Sequence, residues 1–551
     1  MISTQDMVAT TKALKQFEQL KGIRYNWETH WRDVAAYVWP ESDKFWETWN
    51  TSSHGTKRNI HIYDSTAVNA NSQCASLFES ILTPRNQRWH ELKSPYTRIN
   101  QDKAVQEWCY QATSQLFKLR YEPAAGFSAQ SFVFYMSLAA FGTACMFIDR
   151  DPETMGIRYK SEWIGDIYFD VNHQGDPNVV YRRFDFSHAQ AIEKWGEKNV
   201  PRQIVELAQT NPHERHEYLH CVKPNEDKKK GEDFIGEYFS YTNNCKIGES
   251  ETYYRTMPYV ISRFKVSPFE IWGRSPAMDA LPDIRTLNEV RRTQLRAADK
   301  SLDPPLLVAN DAIMGSGQLA PDLRPGGLNY GGVSPDGRQL VQPMQTGVRL
   351  DWNQQIIDQL RLSVRESFMV NIFEILIELP RMTATQSIMR SQEKAALLAP
   401  MMARQQTEFL GKLIERELDI AQEIDAPNGE PAIPPPPKIM MNEWEVSYES
   451  PLARMQKAES LTGIQQTLDA MIALGGVDPS VADVLDAEKA LTLYAERTNA
   501  PPEIIRSTTE VEAIRQRRAE QEQAIAMAQA APQLASASKD LAQAEQIRQG
   551  G

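Results

Sequence analysis

Ser131-Phe-Val-Phe-Tyr-Met-Ser-Leu-Ala-Ala-Phe-Gly-Thr-Ala-Cys-Met-Phe-Ile148 runs for 18 residues without a charge, and its reading separates a membrane protein from a soluble one. It only reaches the lower edge of what a bilayer-spanning helix needs, ~20 residues. Ser131, Ser137 and Thr143 interrupt its apolar character, and it lacks the aromatic and basic anchors of real spans. Gly142 is a natural helix stop. The stretch therefore predicts a buried helix ending at Gly142, followed by a short strand over Thr143–Ile148. No membrane association is expected.

Upstream of it the chain is aromatic. Five of the twelve Trp lie between Trp27 and Trp49, and Trp27 and Trp31 stand four apart, on one face of a packed helix. Downstream, short alternating segments predict antiparallel strands: Asp166-Ile-Tyr-Phe-Asp, Val179-Val-Tyr-Arg-Arg-Phe and Tyr259-Val-Ile-Ser-Arg-Phe. The charge run Asp227-Lys-Lys-Lys-Gly-Glu-Asp between them reads as a solvated hairpin tip.

After Gly273 the periodicity becomes helical. Asp279–Leu302 carries Arg285, Arg291, Arg292, Arg296 and Lys300, and Pro304-Pro305 ends it. Residues 303–349 hold eight Gly and six Pro, a loop-rich insert with little room for helix. Leu350–Leu379 predicts a long helix with Ile356, Leu360, Val364, Phe368, Ile372 and Leu376 as its apolar stripe. A spacing of four drifts ~40° per step, so the stripe winds and asks for neighbours on more than one side. Pro380-Arg-Met-Thr-Ala-Thr is a short break, and a second long helix covers about Gln386–Ile424 with a kink expected at Pro400. Glu430-Pro-Ala-Ile-Pro-Pro-Pro-Pro reads as an extended linker, and Glu443-Trp-Glu-Val-Ser-Tyr as a strand. The tail Ala519–Gln549, with ten Ala and seven Gln, is a weakly apolar helix former.

Composition sets the outer bounds. The chain has 551 residues, 60 Lys+Arg against 72 Asp+Glu, a net charge of -12 and 5 Cys without CxxC spacing. Length alone suggests roughly three to four folding units. The balance excludes a disulfide-stapled secreted domain, a collagenous rod and a strongly basic nucleic-acid binder. Free thiols in a reducing compartment are the simplest reading of the cysteines.

No convincing active site emerges. All nine His precede Cys221. His213, His216 and His220 would share a face on a helix and could then ligate zinc for a metal-dependent hydrolase, whereas a strand over Glu217–Val222 would send His220 away from Cys221 and take the set apart. Gly315-Ser-Gly317-Gln-Leu-Ala320 matches a loosened dinucleotide fingerprint, but Pro321 follows at once and no helix opens there. No Walker A sequence and no G-x-S-x-G elbow occur. Neither a cofactor nor an enzymatic activity is expected.

The layout that remains resembles the portal (head-to-tail connector) proteins of short-tailed bacteriophages. The residues carrying the likeness are Gly273-Arg-Ser-Pro-Ala-Met-Asp-Ala-Leu-Pro-Asp-Ile-Arg-Thr-Leu-Asn-Glu, Asp303-Pro-Pro-Leu-Leu-Val, Pro325-Gly-Gly-Leu-Asn-Tyr, Arg381-Met-Thr-Ala-Thr-Gln and Tyr448-Glu-Ser-Pro-Leu-Ala-Arg, in consistent order from about Leu20 to Leu474. A non-portal phage ring, such as a tail adaptor, is the neighbouring alternative, although adaptors are usually much shorter.

The resemblance implies an α+β subunit that builds a ring, typically of twelve copies, at one capsid vertex of the virion after assembly in the host cytoplasm. Residues 1–278, with a return over 425–475, would form the wing. Residues 279–302 and 350–379 would be the paired stem helices, 303–349 the clip, 380–386 the tunnel loop, 387–424 a long kinked helix and 476–551 a helical crown or barrel. Double-stranded DNA would pass the tunnel loop at Arg381, Met382, Thr383, Thr385 and Gln386. The clip, with Arg324, Asn329, Tyr330 and Arg338, would meet the packaging terminase and later the tail adaptors. Capsid and scaffold proteins would be further partners.

Overall fold

A computed structural model of the chain describes residues 4–45, 55–85, 87–151, 154, 156–225, 232–248, 250–302, 306–308, 333, 336–339, 341–343, 350–371, 400–424, 431–440, 443–448, 469, 511 and 513–523. Mixed helix and sheet make up the fold, in two compact units. The first unit comprises Met1–Trp89 and Leu116–Ala432, and the second His90–Gln115 and Ile433–Gly551.

In the first unit the chain opens with α1 (Thr4–Val38) and α2 (Thr66–Leu82). Residue Leu116 lies in the last part of α3 (Lys103–Arg120), and α4 (Phe127–Phe141) follows. Gly142 stops α4 in a left-handed conformation, φ 74°, and β2 (Thr143–Arg150) begins at the next residue. The uncharged stretch is thus a helix and a strand hinged at one glycine. The segment Pro123–Phe141 is long and apolar enough to cross a bilayer by composition. In the fold its C-terminal half is packed inside: Phe134, Tyr135, Leu138, Ala139, Ala140 and Phe141 are fully buried.

Two antiparallel sheets lean on these helices. Strand β2 sits between β3 (Ile157–Glu162) and a later strand, Tyr259–Arg263. The larger sheet runs β4 (Ile167–Val171), β5 (Pro177–Ser187), β6 (Arg215–Pro224), β7 (Phe234–Ser240) and β8 (Cys245–Lys246), with β9 (Thr252–Tyr254) also on β7. The strand Tyr259–Arg263 is β10. Strand alternation gives the large sheet two apolar faces. Tyr181, Leu219, Cys221 and Phe239 receive Ala13, Phe17 and Leu20 of α1. Phe184 and Tyr218 receive Ala191 of α5 (His188–Trp195) and Ile204 of α6 (Arg202–Thr210). Trp27 and Trp31 do lie on one helical face, ring centroids 6.0 Å apart. The charged tip between β6 and β7 falls largely outside the described residues, and its base is closed where Asn225 N–H donates to Asp233 O at 2.8 Å.

Helix α7 (Pro276–Leu302) starts three residues earlier than the sequence reading placed it. Of the insert, β11 (Leu306–Val308) and β12 (Val341–Pro343) pair antiparallel. Helix α8 (Leu350–Ser367) is interrupted at Phe368–Met369, Val370 and Asn371 are helical again, and the rest of the expected helix to Leu379 lies outside the described residues. Phe368 and Val370 are both buried, and Met369 between them is left-handed at φ 60°. The inward stripe of α8 is also shifted: Ile357 is buried and Ile356 is 42% exposed. Ile372, Leu376 and the residues approaching Pro400 lie outside the described set. After Pro400, Gln406–Leu410 form a π turn that leads into α9 (Gly411–Glu423).

In the second unit β1 (His90–Lys93) pairs antiparallel with β13 (Glu445–Tyr448), the strand expected at Glu443. Trp108 Nε1 donates to Pro434 O at 2.8 Å, tying the α3 portion of this unit to the proline-rich segment. Ala519 to Gln523 are helical, and the rest of the Ala/Gln tail lies outside the described residues.

Candidate functional site: the paired helices and their anchors

The helix α7 is launched from the Gly142 hinge. Gly142 and Gly273 press backbone against backbone, and a Cβ on Gly142 would stand 2.5 Å from the Gly273 oxygen. Gly273 N–H donates to Thr143 Oγ1 at 2.9 Å. Ser275 Oγ donates to Ala140 O at 2.8 Å and accepts Met278 N–H at 3.0 Å, so one hydroxyl joins the end of α4 to the first turn of α7. The Gly-Arg-Ser-Pro-Ala-Met stretch is therefore a joint whose small residues permit close approach.

Helices α7 and α8 pack side by side. Leu281, Ile284 and Leu287 of α7 are buried, as are Ile357 and Val364 of α8. Ser363 Oγ donates to Asp283 Oδ2 at 2.6 Å across the pair. The segment before α2 brackets both helices. Asn288 accepts Tyr63 N–H at 2.7 Å and donates to His61 O at 2.9 Å. Arg361 reaches Asp64 through two nitrogens, at 3.1 and 2.7 Å. Burial pushes the Asp64 carboxyl up, but hydrogen bonds from Thr66 and Arg361 outweigh it and hold the group below its ordinary value.

The basic residues of α7 separate by role. Arg285 pairs with Asp33 of α1 at 2.8 Å. Arg291 donates to Gln294 at 2.7 Å, and Arg292 to Glu289 at 3.3 Å while lying over the Tyr63 ring. Arg296 is exposed. The Lys300 side chain is outside the described residues. Leu295, Ile356 and Leu362 leave apolar surface exposed on the same two helices.

The helix entering α9 is clamped to the body at its π turn. Glu408 accepts Arg263 N–H at 2.8 Å and pairs with its guanidinium at 2.9 Å. Gln405 accepts from Ser262 Oγ at 2.8 Å and donates to Arg263 O at 3.1 Å. Further on, Glu417 takes Arg120 in a bidentate ion pair, one contact at 2.9 Å, and accepts Tyr159 OH at 2.7 Å. None of these partnerships was visible in the sequence. They join residues more than 100 positions apart, and a Glu on a helix carries no local sign of where its partner lies.

The tunnel-loop residues Arg381, Met382, Thr383, Thr385 and Gln386 lie outside the described residues, as do Arg324, Asn329 and Tyr330 of the insert. Arg338 is exposed, one position before the bridge that pairs Gln339 with Val333.

The histidine reading is corrected. Residues Arg215–Pro224 form a strand, so the helical face that would align His213, His216 and His220 does not exist. His213 is exposed, and His216 packs on His188 with ring centroids 4.6 Å apart. His220 is buried against Tyr238 at 4.2 Å and hydrogen-bonds Tyr259 OH at 2.7 Å, its pKa pushed far down by burial. Among the described residues no His/Cys/Asp/Glu group has a metal-holding arrangement. The five cysteines form no disulfide, and four of them are buried.

Comparison with known proteins supplies what local chemistry does not. The profile of a family described as "Bacteriophage head to tail connecting protein" matches residues 10–505. A "Probable portal protein" of Bordetella phage BPP-1 is 27% identical over 521 residues, 93% of this chain and 91% of that one. A "Portal protein" of Salmonella phage epsilon15 is 26% identical over 541 residues, 95% and 94% of the two chains. Among solved structures, a chain from the virion of a native gene transfer agent particle aligns at 10% identity with a TM-score of 0.33, covering 80% of this chain and 94% of that one. That last likeness is too low to carry an argument.

Proposed function

The chain belongs to the family of bacteriophage head to tail connecting proteins, and from that premise we propose that it is a portal subunit. The observation that carries the reading is end-to-end coverage: two phage proteins named as portals align over more than nine-tenths of both partners. In this role the protein is a structural part of the virion at the head-to-tail connection. Twelve copies close into a ring at one capsid vertex, and double-stranded DNA is packaged and ejected through the central channel.

The elements take their parts in order. Residues 1–278 with 425–475 act as the wing, 279–302 and 350–379 as the stem, 303–349 as the clip, 380–386 as the tunnel loop, 387–424 as the long helix and 476–551 as the crown. The clip, through Arg324, Asn329, Tyr330 and Arg338, engages the packaging terminase and then the tail adaptors, while capsid and scaffold proteins surround the wing. The exposed Leu295, Ile356 and Leu362 favour lateral packing of stem helices between copies.

The charge balance suits the same role. A channel in which DNA slides must avoid neutralising many phosphates, because each neutralised phosphate adds counterion-release affinity and with it friction. A chain with net charge -12 that offers DNA a few contacts such as Arg381 and Thr383 keeps the duplex centred and mobile. Native mass spectrometry of the purified protein tests the assembly. A dominant species near twelve times 62.7 kDa supports it, and a monomer at all concentrations overturns it.

A further inference from the structure

Lys194 lies one residue from the end of α5, where that helix covers the large sheet. Its Nζ stands 4.5 Å from the Tyr238 ring centroid, 5.3 Å from those of Phe186 and Trp195 and 5.8 Å from that of Phe184. Strand alternation puts Phe184 and Phe186 on one face of β5. These four rings also touch one another, with Phe184 to Phe186 at 4.7 Å, Phe186 to Trp195 at 5.7 Å and Trp195 to Tyr238 at 5.4 Å.

A lysine stem lying on apolar surface with its ammonium in water is ordinary. Here the nitrogen itself is among the rings, and it lacks the usual compensation. It donates to Tyr238 OH at 3.4 Å, and among the described residues no carboxylate forms an ion pair with it. The carboxylates in this region are engaged elsewhere. Glu162 takes Arg182 at 3.0 Å and Lys160 at 3.3 Å, and Asp149 takes Arg416 at 3.3 Å.

The neighbouring charge is of the wrong sign for an ammonium. The Arg182 guanidinium lies 5.1 Å from the Phe184 ring centroid, so it and Lys194 share one ring. Burial pushes the Lys194 pKa down, Arg182 adds to that push, Asp149 opposes it and Lys160 adds to it again, bringing the group to about 8. Lys194 is nonetheless exposed, so a small reagent can reach it. A desolvated lysine beside another cation is the arrangement that turns an amine into a nucleophile near neutral pH.

We infer that Lys194 is a modification site, an amine that reacts ahead of the chain's ordinary exposed lysines with small acyl donors of the acyl phosphate class. The neutral amine attacks the acyl carbon and a C–N bond forms. The C–O bond to phosphate breaks, phosphate leaves with the bonding electron pair, and the amine gives up a proton to water. The product is a neutral amide, which removes one of the clustered cations and keeps an apolar stem on the rings.

The wild-type, full-length protein tests this with acetyl phosphate as the probe and peptide mass spectrometry as the readout. At neutral pH Lys194 is expected to be acetylated at least about tenfold faster than Lys198, which is exposed in the turn after α5. The rate at Lys194 should level off above about pH 8, well before an ordinary lysine amine, ~10.4, would reach its plateau. Acetylation of Lys194 no faster than that of Lys198, or a rate at Lys194 that climbs through pH 10, overturns the assignment.

Discussion

Arg120 and Glu417, 297 positions apart, meet as a bidentate ion pair from which solvent is fully excluded at both side chains. The Arg120 guanidinium also lies 4.5 Å from the Trp89 ring centroid and 5.0 Å from that of Phe117. Burial opposes the arginine's charge, but Glu417 more than restores it and raises the group above its ordinary value. Tyr159 completes the site from β3. This pair fastens α9 to the interior of the first unit.

Breaking it from one side leaves a charge buried without its partner. Arg120→Met or Glu417→Gln should each cost about 3–5 kcal/mol, read as a clear fall in the melting temperature of the unassembled subunit. The double variant Arg120→Met/Glu417→Leu should recover a good part of that loss, because apolar groups of similar size replace both ions. A double variant as unstable as the sum of the two singles would contradict the assignment.

The Asp64–Arg361 bracket makes the seat of α8 sensitive to acid. Asp64 has its carboxyl held below the unfolded value of ~3.9, so the folded state binds the proton less readily than the unfolded chain. Its stabilising effect is complete above that value and is lost as pH falls through the lower folded one. Wild type should therefore lose stability more steeply than Asp64→Asn below about pH 4, a difference that melting curves across pH 2–6 would reveal. Identical slopes for the two proteins would rule out the bracket.

The hinge at Gly142 allows no side chain. A Cβ at Gly273 would meet the Gly142 oxygen at 2.1 Å, and Gly142 itself has φ 74°. Gly142→Ala and Gly273→Ala should each abolish most soluble expression. Gly22→Ala, where a Cβ meets nothing within 4 Å, should behave as wild type.

The proposed DNA contact at Arg381 can be tested through function. On the portal reading, Arg381→Glu should change DNA packaging or retention while rings still assemble, because losing one DNA contact affects sliding more than subunit packing. Rings that fail to form in this variant would mark Arg381 as structural. Packaging identical to wild type would remove it from the DNA path.

Much of the fold was legible where local chemistry decided it. Gly142 had to end a helix that carried no charge, and the strands at Asp166, Val179, Tyr259 and Glu443 showed their alternation directly. In helix α8 the expected Val364 and Phe368 are buried, but near its start the inward residue is Ile357, one step from the Ile356 that a spacing of four selects, and Met369 at φ 60° interrupts the helix with no local signal in the sequence. The π turn at Gln406–Leu410 carries no Pro or Gly between Gln405 and Leu410 to mark it. It is recognisable only from Gln405 and Glu408 both gripping β10. What pointed to the family was chiefly an ordered series of motifs spread along the chain. The candidate site's anchors, Asp64 with Arg361 and Arg263 with Glu408, join elements far apart in the chain.

Electron microscopy of the purified full-length protein tests the central claim most directly. The account predicts class averages of closed rings, typically twelvefold, with a central opening at least as wide as duplex DNA, ~20 Å across. Compact monomers, or closed rings with no opening wide enough for a duplex, would contradict it.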